Sequence, residues 1–333
     1  MQHFHQYFFS EDDQDVVHSI KPKIYDSKQA VCLIDETFTQ SLKERLAHCT
    51  DEKIGVMLSG GVDSSLLVAM LKTLTPKPII CFTAVTKSNA SDKTPSMKIA
   101  KKFNVKWVQC IIDKNTLTEK LIRILPLSDG GLYDTAANLA LDACLSKCKE
   151  YGVKTLWTGN GLDMFFGGGI SADKFTNRKN SQFHDLFWEF SLDLIMNRFF
   201  YNRNKGGMKR LLDIYNVNIE MPFENLKTII AARSIDAGLF FKSNQDKYPI
   251  RLVARKYKVP LKLTRRKKEA LQDSSGIFLL LRDYMYDSLP QIIHDAVNFE
   301  LNKNYFIENQ NTDLQIFLKL LTVTMNHSPN YNL

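Results

Sequence analysis

The chain has no Cys-x-x-Cys pair, no Gly-x-x-x-x-Gly-Lys-Ser/Thr loop and no apolar run approaching the roughly 18 residues that a membrane helix needs. Each gap removes a class of protein. Its six cysteines, Cys32, Cys49, Cys81, Cys110, Cys144 and Cys148, lie mostly inside apolar stretches, which argues for reduced buried thiols rather than a zinc ribbon or a disulfide framework. Met1 to Asp13 lacks the basic-then-apolar pattern of a secretory leader, so the expected compartment is the cytoplasm, with no membrane partner. No internal repeat of solenoid length is present, and the one biased stretch is the basic run Lys262 to Lys268.

What is present is ordinary for a globular chain. The 333 residues are 44% hydrophobic and 24% charged, enough for one large domain or two moderate ones and incompatible with a disordered, collagen-like or coiled-coil protein. Lys and Arg number 44 against 36 Asp and Glu, a net +8 that favours anionic partners: nucleic acid, an acidic protein or a phosphorylated metabolite. The same excess also serves solubility.

Residues 1 to 29 read as polar and aperiodic, and His3 and His5 as part of a loose end without chemistry. Val31, Ile34, Phe38, Leu42 and Leu46 then recur at helical spacing. Four strand-like apolar runs follow, at Ile54 to Leu58, Ile79 to Val85, Lys106 to Ile112 and Lys154 to Thr158, separated by helical stretches such as Ser96 to Phe103 and Thr135 to Tyr151. That alternation predicts a parallel sheet with helices on both faces. After about Ala172 the strand-like runs largely stop, and Phe183 to Phe200, Phe223 to Ala237, Pro249 to Tyr257 and Phe278 to Phe299 read as helices. The expected organisation is an N-terminal extension (1–30), an α/β domain (31–172) and a mostly helical C-terminal region (173–333) that completes the substrate site.

Two turns carry the chemistry. The first is Ser59-Gly60-Gly61-Val62-Asp63-Ser64-Ser65, placed between an apolar strand and an apolar helix. Glycines let an anion approach the backbone, a helix start offers unpaired N–H groups, serines add hydroxyl donors and an aspartate can hold magnesium. A Gly-Gly turn with a capping Ser or Asp is commonly silent, so the weight lies in the combination. The second is Thr158 to Gly169, where Gly159, Gly161, Gly167, Gly168 and Gly169 are five of the chain's fifteen glycines. Met164 stands where the third glycine of a dinucleotide fingerprint belongs, so that reading fails, while Asp163 offers a second carboxylate.

Leu58 to Ser65 resembles the pyrophosphate loop of the N-type ATP pyrophosphatases, and Thr158-Gly159-Asn160-Gly161-Leu162-Asp163-Met164-Phe165-Phe166-Gly167-Gly168 resembles the second motif of asparagine synthetases. Met221-Pro222-Phe223, Lys247 with Arg251, and Arg266 to Gln272 with Ser275-Gly276 extend the likeness over about residues 31 to 290. The resemblance implies a five-stranded parallel sheet of the adenine nucleotide alpha hydrolase type. It also implies an AMP-forming ligase that uses ATP and magnesium: a carboxylate attacks the α-phosphate, pyrophosphate leaves, and ammonia or an amine displaces AMP.

On that basis Ser59, Gly60, Gly61, Asp63, Ser64 and Ser65 hold pyrophosphate, Asp63 and Asp163 ligate magnesium, and Leu58, Val85, Thr158 and Gly159 border the adenosine. Lys268 matches the catalytic lysine, with Asn160, Lys247 and Arg251 on the substrate side. The chain departs from the family at four places. Asn160 and Met164 replace two glutamates, and Glu220 and Asn225 replace the Arg and Asp that flank Pro-Phe. Gln2 stands where glutamine-dependent members expose a cysteine nucleophile, so the expected nitrogen donor is free ammonia, a separate glutaminase or an amine-bearing substrate. Two alternatives stay open: a tRNA-modifying member of the wider group, and a nucleotide-binding protein without amidation. The oligomeric state is open too, a homodimer included.

Overall fold

The computed structural model describes residues 11–87, 91–127, 132–168, 183–192, 207–242, 245–267, 269 and 271–288. Two helices, α1 (Glu11–Ser19) and α2 (Ser27–His48), lead into β1 (Ile54–Met57) and α3 (Val62–Leu74). The alternation continues through β2 (Ile79–Thr86), α4 (Lys93–Phe103), β3 (Lys106–Ile112), α5 (Lys114–Ile124), α6 (Leu132–Glu150), β4 (Thr155–Trp157) and α7 (Leu162–Phe166). Helix α8 occupies 183–192. Beyond it come α9 (Gly207–Tyr215), β5 (Asn218–Glu220), α10 (Leu226–Arg233), α11 (Tyr248–Lys256), α12 (Leu261–Thr264), α13 (Leu271–Ser274) and α14 (Ile277–Ser288).

The five strands form one parallel sheet in the order β3-β2-β1-β4-β5. β1 lies between β2, in the register Ile54↔Ile79 to Met57↔Phe82, and β4, where Gly55 faces Leu156 and Val56 faces Trp157. The chain runs outward from β1 to β3 and then crosses back to begin β4 on the other side of β1. The order therefore reverses between β1 and β4, which opens a crevice beyond their carboxyl ends. The loops that leave these two strands are the two glycine-rich turns.

Burial on both faces explains why these strands read as apolar runs, with all eight residues of β2 buried. Ile54, Val56, Ile79 and Cys81 point into a core shared with α2, α3, α8, α10 and α11. Ile80, Phe82, Ala84 and Val108 point into a second core under α5, α6, α9 and α14. Beneath that second layer the fully buried Asp142 of α6 receives Lys120 and Arg123 of α5 and the Tyr215 hydroxyl of α9, so that its charge is paired.

Two features depart from the sequence reading. The segment before residue 30 is not featureless: α1 forms, Val17 is fully buried, and Lys23 and Ile24 donate to Ser234 O, strapping the segment to the end of α10. The fifth strand, absent from the four apolar runs, is Asn218–Glu220, paired with β4 as Thr155↔Asn218 to Trp157↔Glu220. It lies beyond residue 172, and the first core likewise draws on both sides of that position. Of the helices expected late in the chain, 193–200 and 289–299 lie outside the described residues. Among the described residues no helix is long and apolar enough to cross a membrane.

Candidate active site

The loop from β1 to α3 is shaped by its own serines. Gly60 adopts φ +74, a backbone open to glycine, and its missing side chain admits Pro95 and Ser96 N at the start of α4. Ser59 Oγ lies 3.1 Å from Ser64 Oγ and accepts from Gly61 N at 3.3 Å, while Ser64 Oγ accepts from Ser59 N at 3.3 Å. These bonds curl the loop around the helix start. Gly61 is the N-cap and brings no side chain to the first amides of α3, which leaves those N–H groups and the positive end of a thirteen-residue helix for a ligand. The Ser65 hydroxyl is buried without a hydrogen-bond partner, as is the Thr158 hydroxyl at the end of β4. A cradle with orphaned hydroxyls and capless amides fits the phosphates of a nucleotide.

The two aspartates occupy equivalent places. Each is the second residue of the helix after its strand, Asp63 in α3 and Asp163 in α7, and β1 and β4 are neighbours. Gly159 closes the distance between the loops, because a Cβ there would fall 2.8 Å from both Asp63 C and Ser64 N.

Between the aspartates sits Lys247. Its ammonium is fully buried, 2.5 Å from Asp63 Oδ2 and 2.7 Å from Asp163 Oδ1. Burial works against the charge, but Asp163 and Asp63 outweigh it and hold the lysine above its ordinary range. The residue is the N-cap of α11, in a left-handed conformation with φ 49 and ψ 37, strained for a residue that is not glycine. Lys247 was expected on the substrate side; its bonds place it at the meeting point of the acidic pair. The two carboxylates thus form a cation site. Among the described residues no cluster of three or more His, Cys, Asp or Glu could hold a metal, so a magnesium ion there needs phosphate and water oxygens besides Asp63 and Asp163.

Arg251, one turn further along α11, has a different part. Its guanidinium donates to Asp246 O, Asp246 Oδ1, Thr264 O and Arg266 O and is 2% exposed. Those bonds staple the stretch before Lys247 to the start of the basic segment. Asn160 is exposed, and its Nδ2 lies 3.9 Å from Met221 Sδ. Leu58, Val85 and Thr158 are buried at the carboxyl ends of β1, β2 and β4, and Thr83 Oγ1 donates to Leu58 O.

The expected catalytic Lys268 lies outside the described residues; Arg266, exposed Lys267 and Glu269 do not. Arg266 donates to Asp92 Oδ1 at 2.9 Å, Ser91 Oγ at 3.0 Å and Glu269 Oε2 at 3.0 Å. Ser274 Oγ donates to Asp92 Oδ2, and Thr86 N and Asp92 N donate to Ser275 O and Ser274 O. Burial pushes the Asp92 carboxyl up, and Ser274 and Arg266 oppose it. The basic segment is therefore moored at the end of β2, beside α4.

Sequence reasoning missed the Asp92–Arg266 mooring and Glu224. The latter is 6% exposed, and its Cγ lies 3.0 Å from where a Gly161 side chain would begin. Glu224 is a lone charge in an apolar context, while Asp92 sits in a serine-rich stretch and Arg266 within the basic run, with nothing local to pair them. The departures Glu220 and Asn225 have structural partners: Glu220 pairs with Arg45 at 2.8 Å, and Asn225 caps α10 and bonds Ser41 and Pro222 O.

An open parallel α/β sheet with a glycine- and serine-rich turn on one side of its switch point and an acidic partner loop on the other has the form in which such sheets hold ligands. The asparagine synthase family model matches residues 33–210, over half of the chain, and the chain belongs to that family. A curated relative from Methanocaldococcus jannaschii, "Putative asparagine synthetase 1, glutamine-hydrolyzing", is 25% identical over 206 residues, which are 61% of this chain and 36% of that protein. The match therefore spans little more than a third of the relative. Solved structures with a similar course are NMN synthetase from Francisella tularensis and an NH3-dependent NAD synthetase from Campylobacter jejuni. The first has TM-score 0.42 and 10% identity over 92% of this chain and 100% of that one. The second has TM-score 0.37 and 13% identity over the same shares, 92% and 100%.

Proposed function

We propose that the chain is an ATP-dependent, AMP-forming carbon–nitrogen ligase. It adenylates a small carboxylic acid, aspartate or a related acid, and joins it to ammonia or an amine. The observation that supports this most is the convergence of Asp63, Lys247 and Asp163 beside the Ser59–Ser65 cradle at the sheet's switch point.

In the first step a carboxylate oxygen bonds to the α-phosphorus while the bond to the β-phosphate's bridging oxygen breaks, and pyrophosphate leaves with that electron pair. The amides at the start of α3 and the hydroxyls of Ser59, Ser64 and Ser65 take phosphate oxygens, with Gly60 and Gly61 allowing the approach. Leu58, Val85, Thr158 and Gly159 border the adenosine. Lys247 is a fixed cation beside those oxygens, and Lys268, from the segment that Arg266 moors, supplies a second. When bound, magnesium neutralises phosphate charge, with Asp63 and Asp163 as its protein ligands. In the second step the nitrogen nucleophile adds to the acyl carbon, AMP departs, and the nitrogen loses a proton. Asn160 faces this step as a neutral amide, able to hydrogen-bond a substrate but not to accept the proton.

A screen of acids for pyrophosphate release, run with ammonia and with glutamine and followed by mass spectrometry of products, tests the reading. AMP, pyrophosphate and an amide formed in equal amounts support it. ATP binding without AMP formation across the panel overturns it for the non-amidating alternative, which Asn160 and Met164 favour. RNA that copurifies and dissociates with salt favours the tRNA-modifying alternative.

A further inference from the structure

We infer that the chain binds a small monovalent anion of the halide type where buried, unpartnered polar groups of α8 and α10 meet beside α1. That meeting point shares no residue with the Asp63–Lys247–Asp163 centre. Arg233, the last residue of α10, is 5% exposed, donates from Nε to Val17 O at 2.9 Å and from Nη2 to His18 O at 3.5 Å, and has a buried Nη1 with no hydrogen-bond partner. Its partners are carbonyls, so its charge is not neutralised. Asp185, exposed on α8, acts on it electrostatically from beyond ion-pair distance. A cation this deep is costly without a counter-ion, and burial draws its proton affinity down.

Three further buried donors lie on α8, whose Trp188 ring faces Arg233. His184, Trp188 and Ser191 lie at positions i, i+4 and i+7 of α8 and share one face of that helix. They are 1%, 0% and 0% exposed, and His184 Nε2, Trp188 Nε1 and Ser191 Oγ have no hydrogen-bond partner. The Arg233 guanidinium carbon stands 5.5 Å from the Trp188 ring centre, and the His184 and Trp188 rings are 6.5 Å apart. His184 Nδ1 accepts from Ala237 N at 3.2 Å, so in the neutral ring the proton is on Nε2, and burial and then Arg233 keep the ring neutral.

The inventory is thus a charged N–H, an indole N–H, an imidazole N–H and a hydroxyl, with the hydroxyl alone able to accept. Water could satisfy two of these donors and give its protons to Ser191 Oγ or to the Val17 and His18 carbonyls, but the charge of Arg233 would stay uncompensated. An anion takes every donor and balances the charge.

The test uses the full chain and sodium bromide or chloride. Crystals grown or soaked in bromide should show an anomalous peak bounded by Trp188 Nε1, Ser191 Oγ and Arg233 Nη1. The melting midpoint should rise saturably with halide, by about 3 °C, against sodium methanesulfonate at equal ionic strength. Trp188→Phe and Ser191→Ala keep the packing and should each reduce that increment; Arg233→Met should abolish it, and if that variant fails to fold the other two carry the decision. Crystals without a bromide peak at Arg233 and Trp188, or equal midpoints in halide and methanesulfonate, overturn the inference.

Discussion

The loops after β1 and β4 are built alike and are not equal. Each leaves a central strand through glycines and presents an aspartate as the second residue of the next helix, and both aspartates bind the same lysine. The first loop starts a thirteen-residue helix and carries Ser59, Ser64 and Ser65; the second starts a helix of five residues that stops at Gly167. A long helix brings a sustained dipole and open amides, whereas a single turn brings little beyond the placement of one side chain. The Asp163 side chain is also the more exposed, 37% against 14% for Asp63. In the proposed reaction the first loop would hold an anion and the second would complete a cation site.

Four measurements break or sharpen that contrast. The largest effect is expected from Asp63→Asn, which should lower substrate-dependent pyrophosphate release about a thousandfold, against roughly thirtyfold for Asp163→Asn in its wetter place. Equal losses would erase the asymmetry. Next, Gly159→Ala forces a side chain against the Asp63–Ser64 backbone and should cost about 2 kcal/mol in chemical denaturation as well as activity. Gly61→Ala meets only Ser59 Oγ, at 3.3 Å, and should keep stability while losing activity. Third, Arg266→Met should cut turnover about tenfold with little change in ATP affinity, since it frees the basic segment from Asp92 rather than touching the cradle. A parallel loss of ATP affinity would put Arg266 in the cradle itself. The smallest effect is expected from Asn225→Ala, which removes a helix cap and should lower stability by about 1 kcal/mol with turnover per folded molecule unchanged.

How much of this could be read from the chain depends on how locally each feature is encoded. β1 and the Ser59–Ser65 turn were legible because strand, glycines and helix start are contiguous and β2 beside them, buried throughout, is apolar but for Thr83 and Thr86. β5 was not, because Asn218–Glu220 is only three residues, with no buried position to betray it, and becomes a strand by pairing with β4. α1 escaped for a related reason: its mean composition is polar, and it is held from outside by α10. Asp63 and Asp163 were found from their turns. The place of Lys247 between them was not, since it depends on the packing of α11, and Arg251 in the same stretch matched equally well while serving as a staple. Lys268 was read from the family resemblance of the Arg266 to Gln272 stretch and falls outside the described residues.

The missing side chain at residue 159 joins the two loops into a single mechanical part. With no atom to spare between Gly159 and the Asp63–Ser64 peptide, neither turn can move toward the other without pushing it. A ligand fastened onto the serines is therefore expected to limit the far turn's inward motion by direct abutment rather than by a relay of side chains. Amide exchange in the Leu162–Phe166 turn is where that tightening should be felt.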